Sequence, residues 1–547
     1  MASDGDLGDL LAKALPFGAE LTVRHVSSTP APSPALFAAP PGREPEQTFL
    51  ESHFLSASID SPKHDGTEII VFGMEVLVYT TAYLTTIFVS KADSTGFLHL
   101  LQLPQKVSVL RLISNTFLSY LARKHQRPGV RLVVSLFARA QNQYLFPGSI
   151  ENAEKHVLDD RGLIKWWCRA VDPIIREYEP ESVSKDPKLL NQTVEATQAS
   201  ATAYLIVPGC DRFETRNFFP ATAKSDAQGH PRWLNGYPLQ QICHDPSAPP
   251  RCLVPRLPDD PKTRFLIDLD DELPEPAEGD NTTPGTGQWK SVKSLDQFWE
   301  MMSFRQECAA GRLVGFLWLV INPPGLMNST TMASRTRGST ATKEAASPVV
   351  PGQAQSEDGP EQPKAELSSE AREKTAEKEK SAEPQAEPAP YFDCPPTEPV
   401  PFPAFTETSP FYWPEAVRGN VILSEVDYKK MMDGILDHFY DENDIVASTK
   451  AYVDQVAILA DELTWGKRVV GTHIPQSTSS ESAPVNNLLD NGLVRKRKKS
   501  EGEGSKATTQ GGSAQPSGLD DTQAAPSQPA PVNMLNAGLI RKKKKKT

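Results

Sequence analysis

TEIIVFGMEVLVYTTAYLTTIFVSK, Thr67 to Lys91, is dense in β-branched and aromatic residues and reads as two strands. Downstream, Val107 to Leu121 carries Leu110, Ile113, Phe117 and Leu121 at helical spacing, and RLVVSLFARA, Arg131 to Ala140, reads as another strand. A second helix follows from about Arg161 to Arg176. Its stripe is Leu163, Trp166, Trp167, Ala170, Val171, Ile174 and Ile175, with Asp159 or Asp160 placed to cap it. Strands and helices alternate loosely, which predicts an α/β fold: a mixed central sheet surrounded by helices.

The length of 547 residues allows two or three domains, but composition argues for less. Hydrophobic residues make up 38%, and the 49 prolines exceed the usual ~5%. A folded part diluted by segments that cannot offset chain entropy accounts for both. Residues 1–328 read as the first part of a folded domain, and 329–395, rich in Ala, Glu, Lys, Ser and Pro, as a disordered insert. Order returns in 396–475. There Ser424 can cap a helix carrying Tyr428, Met431, Met432, Ile435 and Phe439, and a second helix carries Tyr452, Val456, Leu459 and Leu463. A lone helical pair buries little, so these helices are expected to dock on the first part.

Residues 476–547 read as a disordered tail in which PVNNLLDNGLVRKRKK (Pro484 to Lys499) returns as PVNMLNAGLIRKKKKK (Pro531 to Lys546). Nuclear import accounts for the basic runs; docking of the Val/Leu residues in an apolar groove, with Lys/Arg on an acidic partner, is compatible with it. The formal net charge of −12 argues against general nucleic-acid binding and leaves DNA contact, at most weak, to the tail. The six cysteines show no CxxC pair or zinc spacing, and no metal-ligand grouping is visible among the ten histidines, so no metal is expected. The N-terminal stretch is acidic where a signal peptide needs positive charge, and VGFLWLVINPPG breaks at Pro323. A soluble intracellular protein with no membrane contact is expected. The fingerprints of dinucleotide, P-loop, zinc-protease and serine-hydrolase chemistry do not occur.

Four stretches form a specific combination: FVSKADSTG (Phe88 to Gly96), QYLFPGSIENAEKHVLDDRGLIKWW (Gln143 to Trp167), LPDDPKTRF (Leu257 to Phe265) and WKSVKSLDQFWEMMSFRQECAAGRLVG (Trp289 to Gly315). In this order the chain resembles the fungal regulator-of-transposition family of histone H3 lysine acetyltransferases, structural cousins of the CREB-binding-protein type. The likeness spans most of residues 50–320 and, more weakly, the helices between 411 and 465.

The resemblance implies acetyl-CoA as co-substrate and the histones H3–H4 as substrate. It implies histone chaperones of the anti-silencing and nucleosome-assembly-protein types as partners. It also implies a nuclear location and a role in replication-coupled chromatin assembly and the DNA damage response. It assigns Tyr144, Trp167, Asp259, Asp260 and Asp93 to the catalytic channel, Arg264 to the same wall, and Lys262 to self-acetylation. Phe137, Arg139, Gln141, Lys155 and His156 fall to the coenzyme, whose phosphates need cations and backbone amides.

The residues also have plainer readings. Helical spacing makes Trp166 and Trp167 core. Tyr144 is an ordinary strand-end aromatic, Asp260-Pro261 a helix start with Phe265, Leu266 and Leu269 behind it, and Arg139 and Lys155 solvated charges. The acidic run Asp268, Asp270, Asp271, Glu272, Glu275, Glu278 and Asp280 is either a solvated loop or a rim for basic histone surface. The rival function is a non-catalytic nuclear scaffold that binds histones or chaperones.

Overall fold

A computed structural model describes residues 5–103, 107–181, 198–227, 229–243, 245–273, 287–308, 311–324 and 409–474. The expected insert and the tail with both basic repeats lie outside them.

Chain order is α1 (Leu7–Ala14), β1 (Glu20–Ser28), β2 (Ala31–Ser33), β3 (Thr48–Ser61), β4 (Thr67–Thr80), β5 (Leu84–Ser94), α2 (Val109–Lys124), β6 (Arg131–Ala138) and α3 (Asp160–Arg176). Then come β7 (Ser200–Ile206), α4 (Arg212–Arg216), β8 (Trp233–Asn235), α5 (Leu239–Ile242), α6 (Pro261–Asp270), α7 (Leu295–Met302) and β9 (Gly315–Asn322). The last group is β10 (Val421–Leu423), α8 (Glu425–Asp437), α9 (Ile445–Ala460) and β11 (Lys467–Val470). Thr67 to Lys91 thus forms β4 and most of β5, and the helices expected at Val107 and Arg161 are α2 and α3.

The strands form one mixed sheet in the order β10-β1-β3-β4-β5-β6-β9-β7-β8, with β11 on β1 and β2 on β3. β5 and β6 run parallel across the α2 crossover, and β9 then enters antiparallel beside β6. VGFLWLVIN is therefore a fully buried central strand, which is why it is apolar without being long enough for a membrane. Among the described residues no helix is long and apolar enough to cross one.

The segment from Ser409 joins the same sheet. Val26 pairs with Val421 in parallel, and Leu21 pairs with Val469 antiparallel. Tyr452 meets Ser56 at 3.1 Å, and Thr449 Oγ1 accepts the Ile70 N–H at 2.9 Å. Two expected core positions in this segment differ. α8 stops at Asp437, so Phe439 lies beyond it and is 58% exposed, while Leu463, after the end of α9, is 98% exposed. Asp461 in the left-handed region ends α9 before the apolar period can reach Leu463.

Candidate functional site

Asp93, near the end of β5, organises the loop after β6. Its Oδ2 accepts the N–H groups of Tyr144 at 2.7 Å and Leu145 at 3.0 Å. Its Oδ1 meets the Lys155 ammonium at 2.9 Å, and that ammonium also donates to Ser149 Oγ at 2.6 Å. One carboxylate thus closes a loop of more than ten residues onto the strand end. Gly96 is part of the device: its φ is +95°, and a Cβ there would lie 2.9 Å from the Lys155 backbone nitrogen. Gly73 on β4 works similarly, since a Cβ there would meet the Phe146 ring at 2.8 Å. The Tyr144 hydroxyl donates to the Arg139 carbonyl, and burial pushes its pKa well up, so the phenol stays protonated.

The end of β6 is tied to α3 by Asp160. Asp159 is the N-cap, accepting from Gly162, which frees Asp160 to accept the Ala140 N–H at 3.1 Å, Arg312 Nε at 2.8 Å and the Leu313 N–H at 3.0 Å. Burial opposes its ionisation, but these donors outweigh burial and hold its pKa below the usual carboxylate value. The lead-in to β9 and the exit from β6 are therefore fixed to each other.

LPDDPKTRF builds the opposite wall. Asp260 caps α6, with Pro261 at its first position, and Phe265, Leu266 and Leu269 are buried behind it. Asp260 Oδ1 accepts the Lys262 N–H at 2.9 Å, and Oδ2 meets the Lys262 ammonium at 2.5 Å. Both side chains are 1% exposed. The ammonium also sits 4.2 Å from the centroid of Phe316 and 5.6 Å from that of Trp318. Burial lowers the Lys262 pKa, and the Asp260 charge offsets this only in part. Asp259, in the left-handed region at φ +56°, is exposed and meets Lys91 at 2.9 Å. Lys91 and Asp93 lie two residues apart past the β5 bulge, so they share a face. The Asp259 turn and the Tyr144 loop thus converge on one strand end.

Phe137 pairs with Phe316 across β6 and β9 and stacks on Phe88 with centroids 6.2 Å apart. It belongs to the wall that holds Lys262. Arg139, one pleat further, is half-buried beside Tyr144. Gln141 and His156 are exposed on the rim. Arg264 is 59% exposed and lies 3.9 Å from Glu307.

Three expected roles change. Lys155 is expected as a cation for the coenzyme phosphates, yet its side chain is 4% exposed and its charge is spent on Asp93. Asp93 and Asp260 are expected in the catalytic channel, yet every oxygen of both already accepts a hydrogen bond. Trp167 takes the core position that its spacing gives. It is 6% exposed, edge-to-face with Trp166 at 4.9 Å, in the cluster of Ile164, Leu317 and Leu319. Lys262 instead borders Phe316 and Trp318, which point from β9 to the other face. Among the described contacts none joins the Trp167 ring to Tyr144 or Asp260.

The acidic run at the end of α6 and just beyond it braces its surroundings. Asp270 binds Arg256 at 2.5 Å and Trp289 Nε1 at 2.9 Å, Asp268 meets Arg305 at 2.6 Å, and Glu272 accepts from Ser291. Glu275, Glu278 and Asp280 lie outside the described residues.

Sequence reading missed Lys91, Ser149, Arg312, Phe316 and Trp318. Lys91, Ser149 and Arg312 stood inside stretches already marked, whereas Phe316 and Trp318 did not. Burial raises the pKa of Cys168, Cys210, Cys243, Cys252 and Cys308, the last to about 12, so none of these five is a thiolate nucleophile near neutrality.

Comparison with known proteins agrees with this architecture. The family profile described as "Histone acetyltransferase KAT11-type domain" matches residues 7–131 and 126–455. The chain is 56% identical to "Histone acetyltransferase rtt109" of Aspergillus flavus, over 99% of both chains. It is 30% identical to the protein of that name from Schizosaccharomyces pombe, over 57% of this chain and 70% of that one. Its fold superposes on the crystal structure of Rtt109 from Aspergillus fumigatus with a TM-score of 0.70 at 55% identity, covering 86% of this chain and 100% of the other.

Proposed function

The chain belongs to the family of KAT11-type histone acetyltransferases, and from that premise we propose that it acetylates lysines of histone H3, presented as H3–H4 by a chaperone, at the strand end shared by Asp93, Tyr144 and the Asp259–Lys262 turn. It is a histone lysine acetyltransferase, and acetyl-CoA is the co-substrate of that chemistry. The finer reading takes residues 1–328 and 396–475 as one catalytic domain. It includes chaperones of the anti-silencing and nucleosome-assembly-protein types, a nuclear location, and work in replication-coupled chromatin assembly and DNA damage response.

The observation that carries it is the buried Lys262–Asp260 pair against an aromatic wall, next to a loop fixed by Asp93. Bound acetyl-CoA supplies the thioester electrophile and carries phosphates that need cations. Half-buried Arg139 and exposed His156 and Arg264 fit that demand, whereas Lys155 does not. A substrate lysine has a pKa near ~10.4 and must lose its proton before attack. Tyr144 and Phe137 offer an apolar border that favours the neutral amine, and Asp259 is the exposed carboxylate that attracts the incoming ammonium. With no activated thiol among the described cysteines, attack of the amine directly on the thioester carbonyl is favoured over a cysteine-bound acetyl group.

Lys262 fits the same chemistry. Its lowered pKa eases deprotonation, and Asp260 stands 2.5 Å away to take the proton. Attack of the neutral amine on acetyl-CoA forms the acetyl-lysine amide and expels the CoA thiol; once Asp260 has passed the lysine proton to solvent, its carboxylate no longer faces a cation and can accept a proton from later substrates. Trp167 acts as a positioning residue that seats α3 beneath β6 and β9.

The test is acetyl transfer to H3–H4 with and without chaperone. Faster transfer to H3 in the chaperone complex is expected, and transfer indifferent to the chaperone would refute the substrate assignment.

A further inference from the structure

We propose that Glu51, His53 and His125 form a binding site for one zinc ion, remote in the fold from the acetyl-transfer site. Glu51 and His53 stand two residues apart on β3, so the pleat sends both side chains to one face. His125 is the C-cap residue of α2, which lies over that face. Their ligand atoms all fall within 4.8 Å of one another. The three residues are between 0% and 3% exposed.

The arrangement is poorly explained without a cation. The Nδ1 of His125 lies 3.0 Å from the Leu121 carbonyl, which can only accept, so the ring proton sits on Nδ1. Its Nε2 lone pair then faces Glu51 Oε2 at 3.3 Å. The His53 Nε2 faces Glu51 Oε1 at 3.4 Å, and these two buried atoms have no hydrogen-bond partner. Two imidazole nitrogens and two carboxylate oxygens therefore converge with no proton donor assigned among them. Separations of 3.3–3.4 Å are long for charge-assisted hydrogen bonds. Each lies near the ~3.3 Å expected between two ligand atoms held at about 2.0 Å by one ion.

The surroundings also suit a metal. Zinc-bound histidines usually donate their second N–H to a carbonyl or another acceptor, as His125 does to Leu121. His53 Nδ1 lies 3.0 Å from His25 Nε2, so His25 can accept the His53 proton and leave the other nitrogen free for the ion. A cavity of about 120 Å³, lined by His25, Tyr120, Arg418 and Lys467, ends at His25, the neighbour of His53. Two imidazoles and one carboxylate are a zinc-type donor set, and the ion would clamp β3 to the end of α2.

The test uses the full chain, purified without a histidine tag or metal column. Elemental analysis should find about one zinc per chain, and after removal by chelator, added cobalt should give the visible absorption of a tetrahedral site at one ion per chain. Added zinc should raise the Tm of the stripped protein by about 5–10 °C. His125→Gln should abolish the cobalt spectrum; should that variant not fold, the wild-type titration decides alone. Substoichiometric zinc with no tetrahedral cobalt spectrum would overturn the proposal and leave the cluster as a buried carboxylate–imidazole group.

Discussion

Replacing Asp260 by Asn isolates the charge of the buried pair from the cap of α6. Asn caps a helix about as well as Asp, so the loss falls on the contact with the Lys262 ammonium. Both side chains are 1% exposed, and removing one partner of a buried pair costs ~3–5 kcal/mol because the other charge is left uncompensated. For a domain of this size, at ~2 °C per kcal/mol, Asp260→Asn should lower Tm by ~6–10 °C. In a Lys262→Gln background the Asp260 carboxylate is itself the uncompensated charge, so the same change should leave Tm unchanged or raise it. The assay is thermal unfolding of all four proteins of the cycle, with intact mass confirming that Lys262 is unmodified wherever it is present. A single-variant shift below ~2 °C, or equal shifts in the two backgrounds, would refute the reasoning.

The same pair should leave a mark in pH dependence. The folded pKa of Lys262 lies below the unfolded value of 10.5, so between the two the unfolded chain holds the extra proton. Stability of the unmodified protein, relative to Lys262→Gln, should rise with pH across that window, and denaturant melts at stepped pH read it. Asp93→Ala releases the Tyr144 loop and strands the Lys155 ammonium, so kcat should fall at least ~10-fold with a stability loss of ~3–5 kcal/mol, measured by turnover and urea melts. Arg139→Ala should raise KM for acetyl-CoA several-fold while kcat holds, as initial rates would show. Trp167→Ala should cost ~3–5 kcal/mol, and activity should be lost together with Tm, as expected of a residue inside the core.

Local rules carried the sequence reading as far as they apply. Asp159 and Ser424 cap the helices expected of them, and Asp260-Pro261 starts α6, because a cap depends on neighbours within one turn. The same locality explains the failures. Leu463 continues the apolar period of α9, but the period carries no sign that Asp461 ends the helix first. The commitments of Asp93 come from Tyr144, Leu145 and Lys155, more than fifty positions away, and no local pattern announces them. Glu51 and His53 sit on alternate residues of a strand, yet His125 joins them only because the fold lays the end of α2 over β3. The aromatic wall of Phe316 and Trp318 was hidden for another reason: in a strand buried on both faces, nothing in composition tells the site face from the core face.

This bookkeeping of carboxylates bears on the chemistry. A carboxylate held by donors or a cation is a weaker proton acceptor than a free one, and near the candidate channel burial and freedom are divided. Asp93 and Asp260 are enclosed but fully engaged, one by backbone amides and Lys155, the other by its own helix and Lys262. Asp259 is open to solvent, where it attracts an ammonium but has little power to desolvate it. Only one of the enclosed groups can be freed by a small covalent change: acetylating Lys262 neutralises the partner of Asp260 without moving the backbone, whereas freeing Asp93 means unpinning the Tyr144 loop. Under the proposed self-acetylation of Lys262, Asp93 would stay a permanent scaffold while Asp260 would be the carboxylate that changes partner.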